Sequence, residues 1–149
     1  MKILCDTNVI ARSLEPEHAQ HSQACGAISE LTLQGHELCV SPQVFFELWA
    51  VATRPVEQNG LRRTCLEAQT IYRETLSLFT LVPETSSVVS VWEDLVVKHN
   101  VTGKKSHDTH LAATMIVNDV THLLTFNTQD FLRFGMITVI QPADVQKTP

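Results

Sequence analysis

In KILCDTNVI, residues 2–10, a short apolar run ends on an acid. Lys2 to Cys5 has the length and composition of a buried strand, and Asp6 stands where the chain leaves it. Asn8 can cap a short helix continuing to Leu14. A second apolar run, Glu37 to Val40, leads into Ser41-Pro42, an N-cap followed by a first-turn proline. A later one, Thr121 to Thr125, runs into LLTFNTQDF, residues 123–131, where Asn127 and Asp130 follow a strand as Asp6 follows the first. Buried strand, polar turn and helix therefore recur, which is the signature of an α/β chain.

Between these runs the apolar positions take helical spacing. Ala24, Ala27, Ile28 and Leu31 form a stripe in a helix from Glu17 to Leu33 that stops at Gly35. The helix after Pro42 carries VFFELWAVATR, residues 44–54, and ends before Pro55. Gln58, Asn59 and Gly60 make a polar turn. Leu61 to Leu78 is read as one helix with Leu66, Ile71, Leu76 and Leu78 inward, and Phe79 to Val82 as a third strand. Ser86 or Ser87 can cap a helix with Val88, Val91, Trp92, Leu95 and Val96 on one face. Gly103, Lys104 and Lys105 form a loop before a helix bearing Leu111, Ala112, Met115 and Ile116, and a short turn or helix spans Asn127 to Phe134. Ile137 to Ile140 is expected at an edge. The expectation is one domain over residues 1–149, an α/β/α sandwich on a mostly parallel sheet, whose functional groups gather beyond the carboxyl ends of the strands.

Composition narrows the functional classes. Eleven Lys and Arg against sixteen Asp and Glu give a net charge of −5, so no general excess of positive charge exists to hold nucleic acid, and any such role must be local. Hydrophobic residues make up 44% of the 149 positions, enough for one ordinary core, and the low Gly and Pro content argues against disorder. Cys5, Cys25, Cys39 and Cys65 form no CxxC pair and are expected to be buried, reduced and structural. No apolar stretch reaches the roughly 18 residues of a membrane helix, and no signal peptide is readable at the N-terminus, so a cytoplasmic location is expected.

Three acids stand out by position. Asp6 alone reads equally well as a turn residue or cap. Glu47 is the single charge in Val44 to Ala52, which leaves it little polar face. A buried carboxylate requires a cation, a hydrogen-bond cage or a raised pKa, and an ion pair with an Arg would also serve. Asp108 lies in GKKSHDTHLAAT, residues 103–114, where loop becomes helix, between His107 and His110. Capping by Ser106 or Asp108 explains it too, and the two His lack the partners a zinc site needs. Asn127 and Asp130 read singly as turn residues. Taken jointly, these groups can meet at one edge of the sheet, and oxygen ligands of one sign are tolerated together around Mg²⁺ or Mn²⁺.

With ILCDTNVI, the Glu of VFFELWAV, the Asp of GKKSHDTHLAA and LLTFNTQDF in this order over nearly the whole chain, the sequence resembles the PIN-domain family of metal-dependent ribonucleases, which includes the toxins of VapBC-type toxin–antitoxin pairs. The resemblance implies a Rossmann-like sandwich with an acidic pocket, and hydrolysis of RNA phosphodiester bonds by a metal-activated water. It assigns Asp6, Glu47 and Asp108 to catalysis and to binding Mg²⁺ or Mn²⁺, with Asn8 the polar residue beside the first acid. Asn127 falls at the fourth position, often Asp in the family. That departure implies one metal held firmly and a second weakly, with Asp130 as a substitute ligand. Thr7, Thr109 and Thr125 are candidates for hydrogen-bonding support.

An acidic ribonuclease needs a local basic rim, for which Arg12, Arg54, Arg62, Arg63, Lys104 and Lys105 are candidates. The resemblance further implies a small antitoxin protein and a homodimer, with the helices from Glu17 to Leu33 and Leu61 to Leu78 as contact surfaces. Two other classes remain open. A catalytically weak PIN-like module binding RNA or protein would fit an incomplete site at Asn127. A Mg²⁺ phosphatase on an α/β fold fits less well, because DTN at residues 6–8 lacks the second Asp of a DxD pair.

Overall fold

The computed structural model describes residues 1–145; the last four positions of the expected 1–149 domain lie outside the described residues. The chain runs β1 (Lys2–Cys5), α1 (Thr7–Ser13), α2 (His21–Leu33), β2 (Glu37–Val40), α3 (Pro42–Thr53), a 3₁₀ turn (Val56–Gln58), α4 (Cys65–Leu78), β3 (Thr80–Leu81), α5 (Ser86–Lys98), α6 (Lys105–Val117), β4 (His122–Leu124), α7 (Thr128–Phe131), β5 (Thr138–Ile140) and a 3₁₀ turn (Pro142–Asp144).

The five strands form one sheet in the order β3-β2-β1-β4-β5. Every pairing is parallel, with Ile3 aligned to Leu38 on one side and to His122 on the other. The sandwich and its parallel sheet are as expected from sequence. From β1 the chain moves outward to β3, then crosses back to β4 and continues to β5 in the other direction. Because such crossovers are right-handed, α1 to α4 cover one face and α5 to α7 the other. The packing agrees: α1 meets α2 and α3, α3 meets α4, and α6 meets both α5 and α7. The chain thus diverges between β1 and β4, and the crevice beyond their carboxyl ends is the place such sheets reserve for ligands.

Ile3, Leu4, Cys5, Val40, Leu123 and Leu124 are fully covered at the sheet centre, and Met115, Phe131 and Phe134 close it from the α6–α7 side. Each such side chain contributes about 1.5–3 kcal/mol by leaving water. Pro42 sits in the first turn of α3 and Ser41 accepts from Val44 N, as the sequence suggests. Trp92 Nε1 donates to the Ser106 carbonyl at 2.9 Å, tying α5 to the start of α6 and so locating Asp108.

Several local expectations change. The Leu61–Leu78 helix starts only at Cys65, because Thr64 and Glu67 form a reciprocal capping box. Its buried residues are Ala68 and Thr75; Ile71 and Leu76 pack half-buried against the core as expected, whereas Leu66 is 76% and Leu78 74% exposed. Leu66 is rotated well off these positions, and Leu78 borders an open groove. Asn8 lies inside α1, whose N-cap position is Asp6, and Thr85 rather than a serine occupies that of α5. The second helix begins at His21, not Glu17. Only β3 and β5 lie at edges, and β3 is two residues long. Of the cysteines, Cys5 and Cys39 are buried as expected, while Cys25 is half-buried and Cys65 exposed.

Candidate active site

Asp6 leaves β1 at its carboxyl end and is 8% exposed. Its Oδ2 accepts from Asn8 Nδ2 at 2.7 Å and from Thr125 Oγ1 at 2.7 Å. Asn8 Nδ2 also reaches Thr125 Oγ1, and its Oδ1 accepts from Phe126 N at 3.1 Å. Thr125 directly follows β4 and its Oγ1 further accepts from Asn127 N. This network joins the carboxyl ends of β1 and β4, the point where the chain's direction across the sheet diverges.

Glu47, on the second turn of α3, is half-buried rather than enclosed, because Phe46, Trp49 and Ala50 on the same apolar run are themselves exposed. The need for an enclosing cage inferred from the sequence is therefore milder than expected. Its Oε2 accepts from Thr7 Oγ1 at 2.6 Å and its Oε1 from Gln43 Nε2 at 2.7 Å. No Arg pairs with it, which removes the structural ion pair as its explanation among the described residues. Asp108 stands in the first turn of α6. It is half-buried and makes no side-chain hydrogen bond among the described residues.

Asp6, Glu47 and Asp108 line one cleft of about 540 Å³ with Thr7, Asn8, Asn127, Arg12 and Arg54. The electrostatics register the convergence. Burial, reinforced by the nearby charges of Glu47 and Asp108, pushes the Asp6 carboxyl up to about 6, against the opposing hydrogen bond from Thr125. Burial, then Asp130 and Glu47, also raise the Asp108 carboxyl above its ordinary range, while His107 and Lys105 pull the other way.

The remaining expectations separate. Asn127 is the N-cap position of α7 and lines the cleft, but Asp130 does not; its Oδ1 lies 3.7 Å from Lys105 Nζ beside Asp108. Thr7 and Thr125 bond the acids, whereas Thr109 Oγ1 donates to Lys105 O one turn back in its own helix. Arg12 and Arg54 border the acids, Arg12 paired with Glu15 and Arg54 bonded to the Asn59 carbonyl. A Cβ on Gly60 would fall 2.0 Å from Arg54 O, so this close turn depends on glycine. Lys104 is exposed at the start of α6. Arg62 and Arg63 pair with Glu57 and Glu67 and take no part in the acidic cleft.

Sequence reasoning missed Gln43. Its Nε2 bonds both Glu47 and the His107 carbonyl, and its Oε1 meets His110 Nδ1 at 2.5 Å. The available signal was its position four residues before Glu47 in one helix, where side chains share a face. His110, read as a surface residue or weak metal candidate, is instead part of this network, with Nε2 2.7 Å from Glu84 Oε1.

The chain matches the PIN domain family over residues 3–135. No curated protein matches it by sequence. Among solved structures it is similar to VapBC2 from Rickettsia felis bound to a promoter DNA fragment, at 16% identity and TM-score 0.67, covering 95% of this chain and 98% of that one. FitAcB from Neisseria gonorrhoeae is similar at 19% identity and TM-score 0.66, covering 95% and 99%. VapC20 from Mycobacterium tuberculosis, a sarcin–ricin loop cleaving toxin, is similar at 16% identity and TM-score 0.66, covering 89% and 95%.

Proposed function

The chain belongs to the PIN-domain family, and from that premise we propose that it is a Mg²⁺- or Mn²⁺-dependent endoribonuclease of the VapC toxin type, acting in the cytoplasm and restrained by a small antitoxin. The observation that carries this reading is the convergence of Asp6, Glu47 and Asp108 from three separate elements on one cleft, where the charges of Glu47 and Asp108 raise the cost of ionising Asp6, and that of Glu47 the cost of ionising Asp108. A hard divalent cation removes that cost, and the all-oxygen donor set fits one. Among the described residues no group of three acid, His or Cys side chains is already spaced to hold an ion. Binding therefore requires the carboxylates to draw together, and Asp108, which has no side-chain bond to break, is the one placed to move.

Bound there, the cation would lower the pKa of a coordinated water and offset charge on the phosphate oxygens. Asp6 and Asp108 supply ligand oxygens, Asn127 a neutral one. Glu47, oriented by Thr7 and Gln43, ligates or accepts the proton of the attacking water. Arg12 and Arg54 on the cleft wall, and Lys104 and Lys105 on the rim, attract the RNA backbone. Cleavage of the sarcin–ricin loop by VapC20 favours an RNA substrate, and the likeness to VapBC2 and FitAcB favours an antitoxin partner.

A groove bordered by Ile10, Leu14, Ile28, Ile71 and Leu78 runs between α1, α2 and α4 and offers an apolar seat for that partner. The exposed Phe46 and Trp49 of α3 offer a surface to a second copy. No helix of the described residues is long and apolar enough to cross a membrane.

Asn127 favours one alternative, a binding module with weak or no catalysis. Incubating purified protein with a mixed RNA pool in Mg²⁺, Mn²⁺ or EDTA, beside Asp6→Asn prepared identically, separates the two. Metal-dependent cutting lost in the variant is the expected result. Equal inertness of both proteins, with no Mn²⁺ binding, overturns the enzyme.

A further inference from the structure

A line of side chains leads from the cleft to the opposite side of the sheet edge. Thr7 Oγ1 holds one oxygen of Glu47 and Gln43 Nε2 the other. Gln43 Nε2 donates as well to the His107 carbonyl at 3.0 Å. Both groups are pure acceptors, so the amide of Gln43 has a single workable orientation, and its Oε1 is left to accept from His110 Nδ1. His110 Nε2 in turn meets Glu84, just ahead of α5. Gln43 thereby bridges α3 to α6, and the chain of bonds ends on the exposed Glu84 carboxylate, whose side chain makes no other hydrogen bond among the described residues.

We propose that Gln43, His110 and Glu84 are positioning residues, a brace that holds the Glu47 carboxylate aimed into the acidic cleft. The proposal rests on the ribonuclease reading for its purpose, but not for its geometry. With both oxygens of Glu47 already held from the side, its rotamer is fixed before any cation or phosphate arrives. Its remaining lone pairs are the ones presented to the cleft. Outer-shell partners of this kind set the affinity of a cation site without touching the ion. Thr7 alone leaves the carboxylate free to pivot about one bond, and Gln43 removes that freedom.

The test is calorimetric titration of the full chain with Mn²⁺, with melting temperature measured on the same samples. Gln43→Leu is expected to weaken Mn²⁺ binding about tenfold, the lower end of what losing such a partner costs, with melting near wild type. In the Glu47→Gln background the same substitution is expected to add no further loss, since Gln43 acts through Glu47. Glu84→Gln, which still offers His110 an acceptor, retains the affinity that Glu84→Leu loses. Equal loss from Gln43→Leu in both backgrounds, or none in wild type, overturns the brace. If the wild-type chain binds no Mn²⁺, the ribonuclease reading is what fails, and the brace is then decided by NMR of the His110 ring. Glu47→Leu is expected to shift its Hδ1 resonance through Gln43, and an unmoved resonance overturns the proposal.

Discussion

On one wall of the cleft, Asp6 and Glu47 each accept two side-chain hydrogen bonds, from Asn8 and Thr125 and from Thr7 and Gln43. On the other wall, Asp108 accepts none among the described residues, and Asn127 engages through its backbone, its N–H donating to Thr125 Oγ1 and its carbonyl accepting from Asp130 N. The first wall is built on a strand end and a mid-helix turn and is preorganised. The second is built on the first turn of α6 and the entrance to the four-residue α7, and its side chains are free to adapt. A cation placed between them would meet one fixed wall and recruit the other, so substitutions on the two walls differ in what they disturb.

The largest contrast is expected when the acids themselves are neutralised. Asp6→Asn and Asp108→Asn both abolish RNA cleavage, a loss beyond the roughly ten- to hundredfold typical of outer-shell partners, with circular dichroism unchanged. Full activity in either breaks the proposed site. Next comes the support of the fixed wall. Thr125→Val removes a donor to Asp6 and the acceptor of Asn127 N, and is expected to weaken Mn²⁺ binding about tenfold by calorimetry, whereas Thr109→Val on α6 leaves it unchanged.

The fixed wall also makes a pH prediction. The Asp6 carboxyl moves from an ordinary 3.8 to about 6 in the folded chain. Between those values the folded state holds more protons than the unfolded one, so stability falls as pH rises. The metal-free protein is thus expected to be more stable, and to melt higher, at pH 5 than at pH 7, with this group contributing roughly 1 kcal/mol over that interval. Asp6→Asn flattens that slope, and a slope unchanged by the substitution breaks the assignment. The smallest effect belongs to the adaptable wall: Asn127→Asp adds a charged oxygen ligand and is expected to tighten Mg²⁺ or Mn²⁺ binding a few-fold. Weaker binding in that variant would mean Asn127 faces the cleft without reaching the ion.

Much of this was legible in one dimension. The apolar runs at residues 3–5, 38–40 and 123–124 are buried on both faces of a parallel sheet, which is why they read as continuous rather than alternating. Ser41-Pro42 marked its helix correctly, since capping and proline geometry are local. Leu66 and Leu78 did not read correctly, because a helix with leucines on more than one face does not say which of them a neighbour will cover. Leu61 to Thr64 looked helical by composition, and a capping box three residues later started the helix instead.

The acids of the site were found from their unusual settings: after a strand, alone in an apolar helix, at a loop-to-helix boundary. Their chemical type and order along the chain were written in the residues, as were strand, turn and helix, because each depends on neighbours a few positions away. Strand order, the meeting of Asp6 with Thr125 across 119 positions and the bridge from Gln43 to His110 across 67 came only with the folded chain. Those contacts depend on which strands lie side by side and which helix faces which. Loop-closure and packing energies decide that over the whole molecule, and no short window of sequence carries them.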